Sequence, residues 1–170
     1  MDAMPVAVQR PPEPETRTQG EQQVRVCLMS LGGELYAIDL NNVSEVFQVE
    51  SVTRVPGMPS AMMGVANLRG VIVPLLDLRH MLGLTVDGSP LPFAVVIRHG
   101  SRQVGVLVDR VPEIRTIRMD QFLPAIKTSG TTSRPFVSAV LRLDERLGGV
   151  LEVPIVFEQV EGRGTAPGTA

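Results

Sequence analysis

The sequence contains no tryptophan, and Tyr36, Cys27 and Lys127 are each the single residue of their kind. Each shortage removes a class of function. A lone cysteine excludes an intramolecular disulfide framework and a cysteine-built metal centre. Aromatics make up 4% of the chain and are not interleaved with basic residues. The strands therefore lack the stacking platforms of a nucleic-acid-binding barrel. A formal charge of −2 supplies no field to draw the chain onto nucleic acid or an anionic membrane. No apolar run approaches the ~20 residues of a membrane span, because Asn67, Arg69 and Asp77 break the longest ones. The start, MDAMPVAVQRPPEPETRTQGEQQ, has no basic region followed by an apolar one, as a signal peptide would. A cytoplasmic protein with no direct membrane insertion is expected.

Catalytic chemistry is equally scarce. There is no phosphate loop ending in Lys-Ser/Thr, no G-x-S-x-G elbow and no H-E-x-x-H. His80 and His99 have no cysteine or carboxylate at metal-ligand spacing, so neither metal nor cofactor is expected. Asp77 and Asp109 end apolar strands. With His80 they are the residues from which a small β-barrel hydrolase or ligand-binding site could be imagined. Capping a turn or helix is the commoner use of such acids.

What the chain does have is strand. Residues 1–23 are Pro-, Glu- and Gln-rich without hydrophobic period and read as a disordered tail, as does EGRGTAPGTA over 161–170. Between them, VRVCLMSL (24–31), the turn GG and ELYAIDL form a hairpin pattern. FAVVIRHG (93–100) and RQVGVLVD repeat that arrangement. Helical signals are short: Asp77 is placed to cap LRHML, closed by Gly83, and SAMM (60–63) offers one further turn.

An internal duplication organises the rest. Set without a gap, YAIDLNNVSEVFQV (36–49) over VGVLVDRVPEIRTI (104–117) puts Asn41 on Asp109, Val43 on Val111 and Glu45 on Glu113. The same register brings Val55-Pro56 onto Leu123-Pro124. GVANLRGVIVPLLDL (64–78) is echoed by SAVLRLDERLGGVLEV (138–153), in which LDERLGG reads as an insertion that lengthens or distorts the last hairpin. Two all-β lobes follow, roughly 24–90 and 91–160, each of about five short strands and free to exchange strands. Small barrels suit them, because closure removes exposed edges.

Two charges stand out within this apolar sheet. Regular alternation would put Val65, Asn67 and Arg69 on one face of their strand, with Gly70 opening the turn that follows. Glu45 lies among Val43, Val46 and Phe47. A Glu45–Arg69 pair satisfies both charges, yet an exposed pair contributes only ~0–1 kcal/mol. Spacing leaves two uses open: the pair orders the lobe, or it sits at an interface where charge selects a partner.

Taken in order, these segments resemble the CheW-like family, the adaptor proteins of bacterial chemotaxis, from about Val24 to Val160. The resemblance rests on Val43 and Glu45 in GELYAIDLNNVSEV. It rests also on Pro56, Pro59, Gly64, Asn67, Arg69, Gly70, Pro74, Asp77 and Arg79 in the central stretch, and on Gly105, Val108, Asp109 and Val111 in VGVLVDRVPEI. It implies two SH3-like five-stranded β-barrels and a non-enzymatic scaffold of two-component signal transduction. The implied partners are the regulatory domain of a CheA-type histidine kinase and the cytoplasmic tip of methyl-accepting chemoreceptors. The receptor would sit near the groove between barrels and the kinase on barrel surfaces. Matched by motif, the implied partner-binding residues are Val43, Glu45, Gly64, Asn67 and Arg69 in the first lobe, with Gly105 and Val111 in the second. The family's third signature is incomplete here, where Ser138-Ala139 and Glu152 stand.

Overall fold

The computed structural model describes residues 22–124 and 137–164. The tail expected over 1–23 lies outside the described residues as far as 21. That expected over 161–170 lies outside them from 165 onward. The chain forms two sheets. The strands are β1 (Gln23–Leu31), β2 (Glu34–Asp39), β3 (Val43–Gln48), β4 (Met62–Leu68), β5 (Val71–Leu76) and β6 (Phe93–His99). They continue as β7 (Arg102–Val108), β8 (Glu113–Arg118), β9 (Phe122–Pro124), β10 (Val137–Leu143) and β11 (Arg146–Leu151), followed by one helix, α1 (Val153–Gly164).

The duplication is visible in the topology. One sheet runs β8-β1-β2-β11-β10-β9 and the other β3-β6-β7-β5-β4, with Thr53 bridged to Val65 on the outer side of β4. The two orders are the same when β1–β2 is matched to β6–β7, and in each the single parallel pairing falls at the same place, β2–β11 and β5–β7. The exchange between halves is reciprocal. The first hairpin, β1–β2, completes a sheet built from the second half, and β6–β7 completes the sheet of the first half.

Chain connectivity requires both sheets to curl. Arg118 ends β8 on one edge and Phe122 begins β9 on the other, joined by a 3-10 turn, Met119–Gln121. That connection spans at most about 14 Å, whereas a flat six-stranded sheet would hold its edges about 24 Å apart. The second sheet meets the same constraint between Gln48 and Thr53. The expected five strands per lobe become six in one lobe and five plus a bridge in the other.

Strand patterning sets the packing. In β1, Val26 and Leu28 face the interior of the six-stranded lobe with Ala37, Ile117 and Leu141. The alternate residues Cys27, Met29 and Leu31 face a larger core between the lobes. In β6, Ala94 joins Leu75 and Leu107 inside the five-stranded lobe, while Val95 and Ile97 face the central core. Strands buried on both faces read as continuous apolar runs, which is why these two hairpins dominate the hydropathy of the sequence. Helix α1 closes the central core with Val153, Val156, Phe157 and Val160, an i, i+3, i+4, i+7 stripe.

Two local expectations are corrected, and a third in part. LRHML is a single turn, closed by Leu82 N–H to the Leu78 carbonyl at 2.9 Å, because Gly83 and the chain leading to β6 stop it there. SAMM is a turn only at its start, where Met62 N–H donates to the Pro59 carbonyl at 2.9 Å and the same residue opens β4. The last hairpin is not lengthened at its turn, but it is irregular, the β10–β11 register shifting between Val137 and Ala139. Leu143 pairs with Arg146 across a two-residue turn whose first corner, Asp144, has φ 50°. Leu68 pairs with Val71 in the same way across Arg69, φ 51°. The two halves thus share this corner.

Candidate partner-binding surface

Arg69 belongs to a turn and not to the face of a strand. With φ 51° at Arg69 and 83° at Gly70, both corners are left-handed, the geometry that matches the twist of a two-residue hairpin. Asn67 fixes the turn, its side-chain Oδ1 accepting the Gly70 N–H at 2.8 Å. The Arg69 guanidinium donates to the Glu45 carboxylate on β3. Since β3 and β4 are opposite edges of their sheet, the ion pair ties the two ends of the curl together.

Magnitudes decide what this arrangement does for stability. A left-handed non-glycine residue costs about 1–2 kcal/mol, and an exposed ion pair contributes ~0–1 kcal/mol. The Arg69 side chain is 76% exposed. The net contribution to folding is therefore small, zero or negative, so joining β3 to the β4–β5 turn does not by itself account for the exposed guanidinium. Beside it, β5 begins with Val71 and Ile72, 51% and 58% exposed. Val46, next to Glu45, and Met63 on β4 add exposed apolar surface on the same lobe.

The other sequence-predicted residues divide. Val43 is on the strand of Glu45, but a bulge between them turns it against the central core. Gly64 is buried. Its φ is 144°, and an added Cβ would lie 2.4 Å from the Thr53 carbonyl oxygen, so the glycine lets the 52–53 segment cross β4. Gly105 is buried between β5 and β6, where a Cβ would meet Leu75. Val111 is 63% exposed in the segment joining β7 to β8. The structure thus gathers Glu45, Asn67 and Arg69 at one hairpin, and leaves Gly64 and Gly105 as packing residues. Val71 and Ile72 were missed by sequence reasoning. The signal available was their position directly after the turn.

The duplicated counterpart differs in charge. Glu113 and Asp144 occupy in the six-stranded lobe the places of Glu45 and Arg69. They line a cavity of about 420 Å³ with Leu28, Leu35 and Leu143. Glu113 there accepts from Arg115 Nε at 3.1 Å.

The acids of the hydrolase reading are engaged elsewhere. Asp77 and Arg79, 5% and 6% exposed, form a buried bidentate pair. Arg79 Nη2 donates to Asp77 Oδ2 at 2.8 Å, its Nε reaches both carboxylate oxygens, and its backbone N–H donates to Oδ1 at 3.0 Å. Burial by itself would raise the Asp77 carboxyl, but the hydrogen bonds and charge of Arg79 outweigh it and hold the group below the usual carboxylate range. His80 is exposed. Asp109 accepts from the Ser30 hydroxyl and the Gly33 N–H, each at 3.0 Å. Cys27 is buried and its thiol is pushed up to about 11 by that burial. Among the described residues no three His, Cys, Asp or Glu side chains are grouped to hold a metal ion. Nor, among them, is any helix long and apolar enough to cross a membrane.

The profile of the CheW-like domain matches residues 25–161. The chain belongs to the CheW-like family. It is 34% identical over 123 residues to the chemotaxis protein CheW of Klebsiella aerogenes, a match covering 71% of this chain and 73% of that protein. It is 27% identical over 144 residues to the probable chemotaxis protein CheW of Rhizobium etli, covering 84% and 92%. Among solved structures, the scaffolding protein TtCheW of Thermoanaerobacter tengcongensis superposes with a TM-score of 0.72 at 25% identity, covering 85% of this chain and 99% of that one. As a CheW-like protein the chain is a non-enzymatic chemotaxis scaffold, and the engagement of Asp77 and Asp109 in structural bonds agrees.

Proposed function

We propose that this protein couples chemoreceptors to a CheA-type histidine kinase in the cytoplasm, at membrane-associated receptor arrays that it joins only through its partners. The kinase regulatory domain docks on lobe surfaces, and the receptor's cytoplasmic tip lies near the groove between the lobes. Within that reading, the hairpin carrying Asn67, Arg69, Val71 and Ile72, with Glu45 beside it, is the principal contact. The observation that carries this is the exposed Arg69 guanidinium, held in a left-handed corner beside exposed apolar residues at little or no gain in stability. Contacts of this composition suit a protein–protein interface, where apolar area supplies affinity and a charge fixes register. Val43, Gly64 and Gly105 support the surface from behind, and Val111 extends the candidate contact to the second lobe.

Reconstitution of receptor, kinase and this protein tests the reading through kinase autophosphorylation. Receptor-dependent activation is expected only when the protein is present. Equal activation without it would overturn the coupling role.

A further inference from the structure

Among the described residues, the chain passes between the two sheets at two places. It leaves β2 for β3 through a 3-10 turn, Leu40–Asn42, and leaves β7 for β8 through residues 109–112. The duplication sets these crossings against each other, with Asn41 facing Asp109 in the alignment. Their bonding is unequal. At the first crossing, Asn41 N–H donates to Asp39 Oδ1 at 2.8 Å, a bond within the turn itself. At the second, Asp109 reaches the β1–β2 hairpin of the other lobe three times, twice at Ser30 near the end of β1 and once at Gly33 in the turn. Its N–H donates to the Ser30 carbonyl at 3.0 Å, and its Oδ2 accepts from Ser30 Oγ and from Gly33 N–H. On the far side of that turn Leu84 lies against Gly32.

Among the described residues the matching β6–β7 turn has no such clamp, and α1 packs beside it. Arg102 pairs with Glu161 and stands 5.2 Å from the centre of the Phe157 ring, against which His99 also packs.

The core between the lobes is apolar and resists their separation, while apolar attraction itself is non-directional. Directional bonds at a crossing supply the missing constraint. We propose that Asp109 is the positioning residue that fixes the relative orientation of the two lobes by clamping the β1–β2 turn of one lobe to the chain leaving the other. Its consequence for signalling rests on the coupling role proposed above. An adaptor that grips partners with both lobes transmits a change only if the lobes keep a fixed angle.

The full chain, spin-labelled through cysteines introduced at Gln48 and Arg142, reports the distance between lobes. Both positions are exposed and lie on different sheets, while buried Cys27 stays unlabelled. Wild type and Asp109→Asn, whose side-chain carbonyl still accepts both bonds, are expected to give one narrow distance distribution. Asp109→Ala is expected to broaden or shift it and to speed exchange of the Gly33 amide about tenfold, the loss of one charge-assisted hydrogen bond. If Asp109→Ala folds poorly, Ser30→Ala, which removes one bond, is expected to give a smaller broadening. An unchanged distribution in the folded variant, with only a lower melting temperature, would overturn the proposal. With receptor and kinase added, Asp109→Ala is expected to keep its affinity for the kinase and lose receptor-dependent activation, with Asp109→Asn restoring it. Failure of wild type to activate the kinase would instead count against the coupling role, and the distance measurement would still decide the clamp.

Discussion

Replacing Arg79 by alanine is expected to destabilise the fold by about 3–5 kcal/mol, because it leaves the buried Asp77 carboxylate without its counter-charge. Against a typical domain stability of about 5–15 kcal/mol this is a third or more, and chemical denaturation measures it directly. The pair anchors the connection from β5 toward β6. Asp77 N–H donates to the Ala61 carbonyl at 2.9 Å, and the side chains that follow it, Leu78 and Leu82, are fully buried in the central core. Loss of the pair therefore loosens both the end of the five-stranded lobe and the core between lobes. The pH dependence has a definite sign. Asp77 is held below its ordinary value in the folded chain, so its contribution is complete above the unfolded value of about 3.9 and is lost as pH falls through the lower folded value. Wild-type stability is expected to drop across that acid window. In Asp77→Asn, already weaker at neutral pH, that drop should be reduced.

Gly64→Ala is the second large effect. The new Cβ would lie 2.4 Å from the Thr53 oxygen and 2.8 Å from Val52 Cγ1, on a backbone at φ 144°. Neither the carbonyl nor the backbone yields easily: Thr53 exchanges two hydrogen bonds with Val65, at 2.9 and 2.8 Å. Backbone strain of about 1–3 kcal/mol adds to an overpacking cost of similar size. Thermal melting should show a loss well beyond that of Gly105→Ala, where the Cβ meets the tip of the Leu75 side chain at 2.9 Å. Both glycines resemble a family signature, and both are explained by packing. Any partner binding lost in Gly64→Ala is expected to follow its loss of fold.

Much of the fold was legible because the duplication is carried by spacing. The ungapped match of 36–49 to 104–117 predicted two similar lobes, and the equal strand orders of the two sheets follow from it. The direction of the hairpin exchange was not legible, since an apolar run buried on both faces, such as VCLM or AVVI, is compatible with either lobe. Helix α1 was missed because VPIVF is β-branched and contains proline. The stripe Val153, Val156, Phe157, Val160 carried the opposite signal, and proline is tolerated in a first helical turn. The Glu45–Arg69 pair was read from charge alone and is present. The left-handed corner under Arg69 was not read, because a strand pattern running into Arg-Gly does not say where the strand ends.

The most direct test is Arg69→Asn, since asparagine accepts a left-handed corner more readily than arginine. Assembly with the kinase regulatory domain and the receptor tip is to be measured beside thermal melting of the same preparation. The expected result is assembly weakened about tenfold or more, equal to ~1.4 kcal/mol, at an unchanged or higher melting temperature. Undiminished assembly, or a loss of assembly that only tracks a loss of fold, would contradict the assignment of Arg69 to the partner surface.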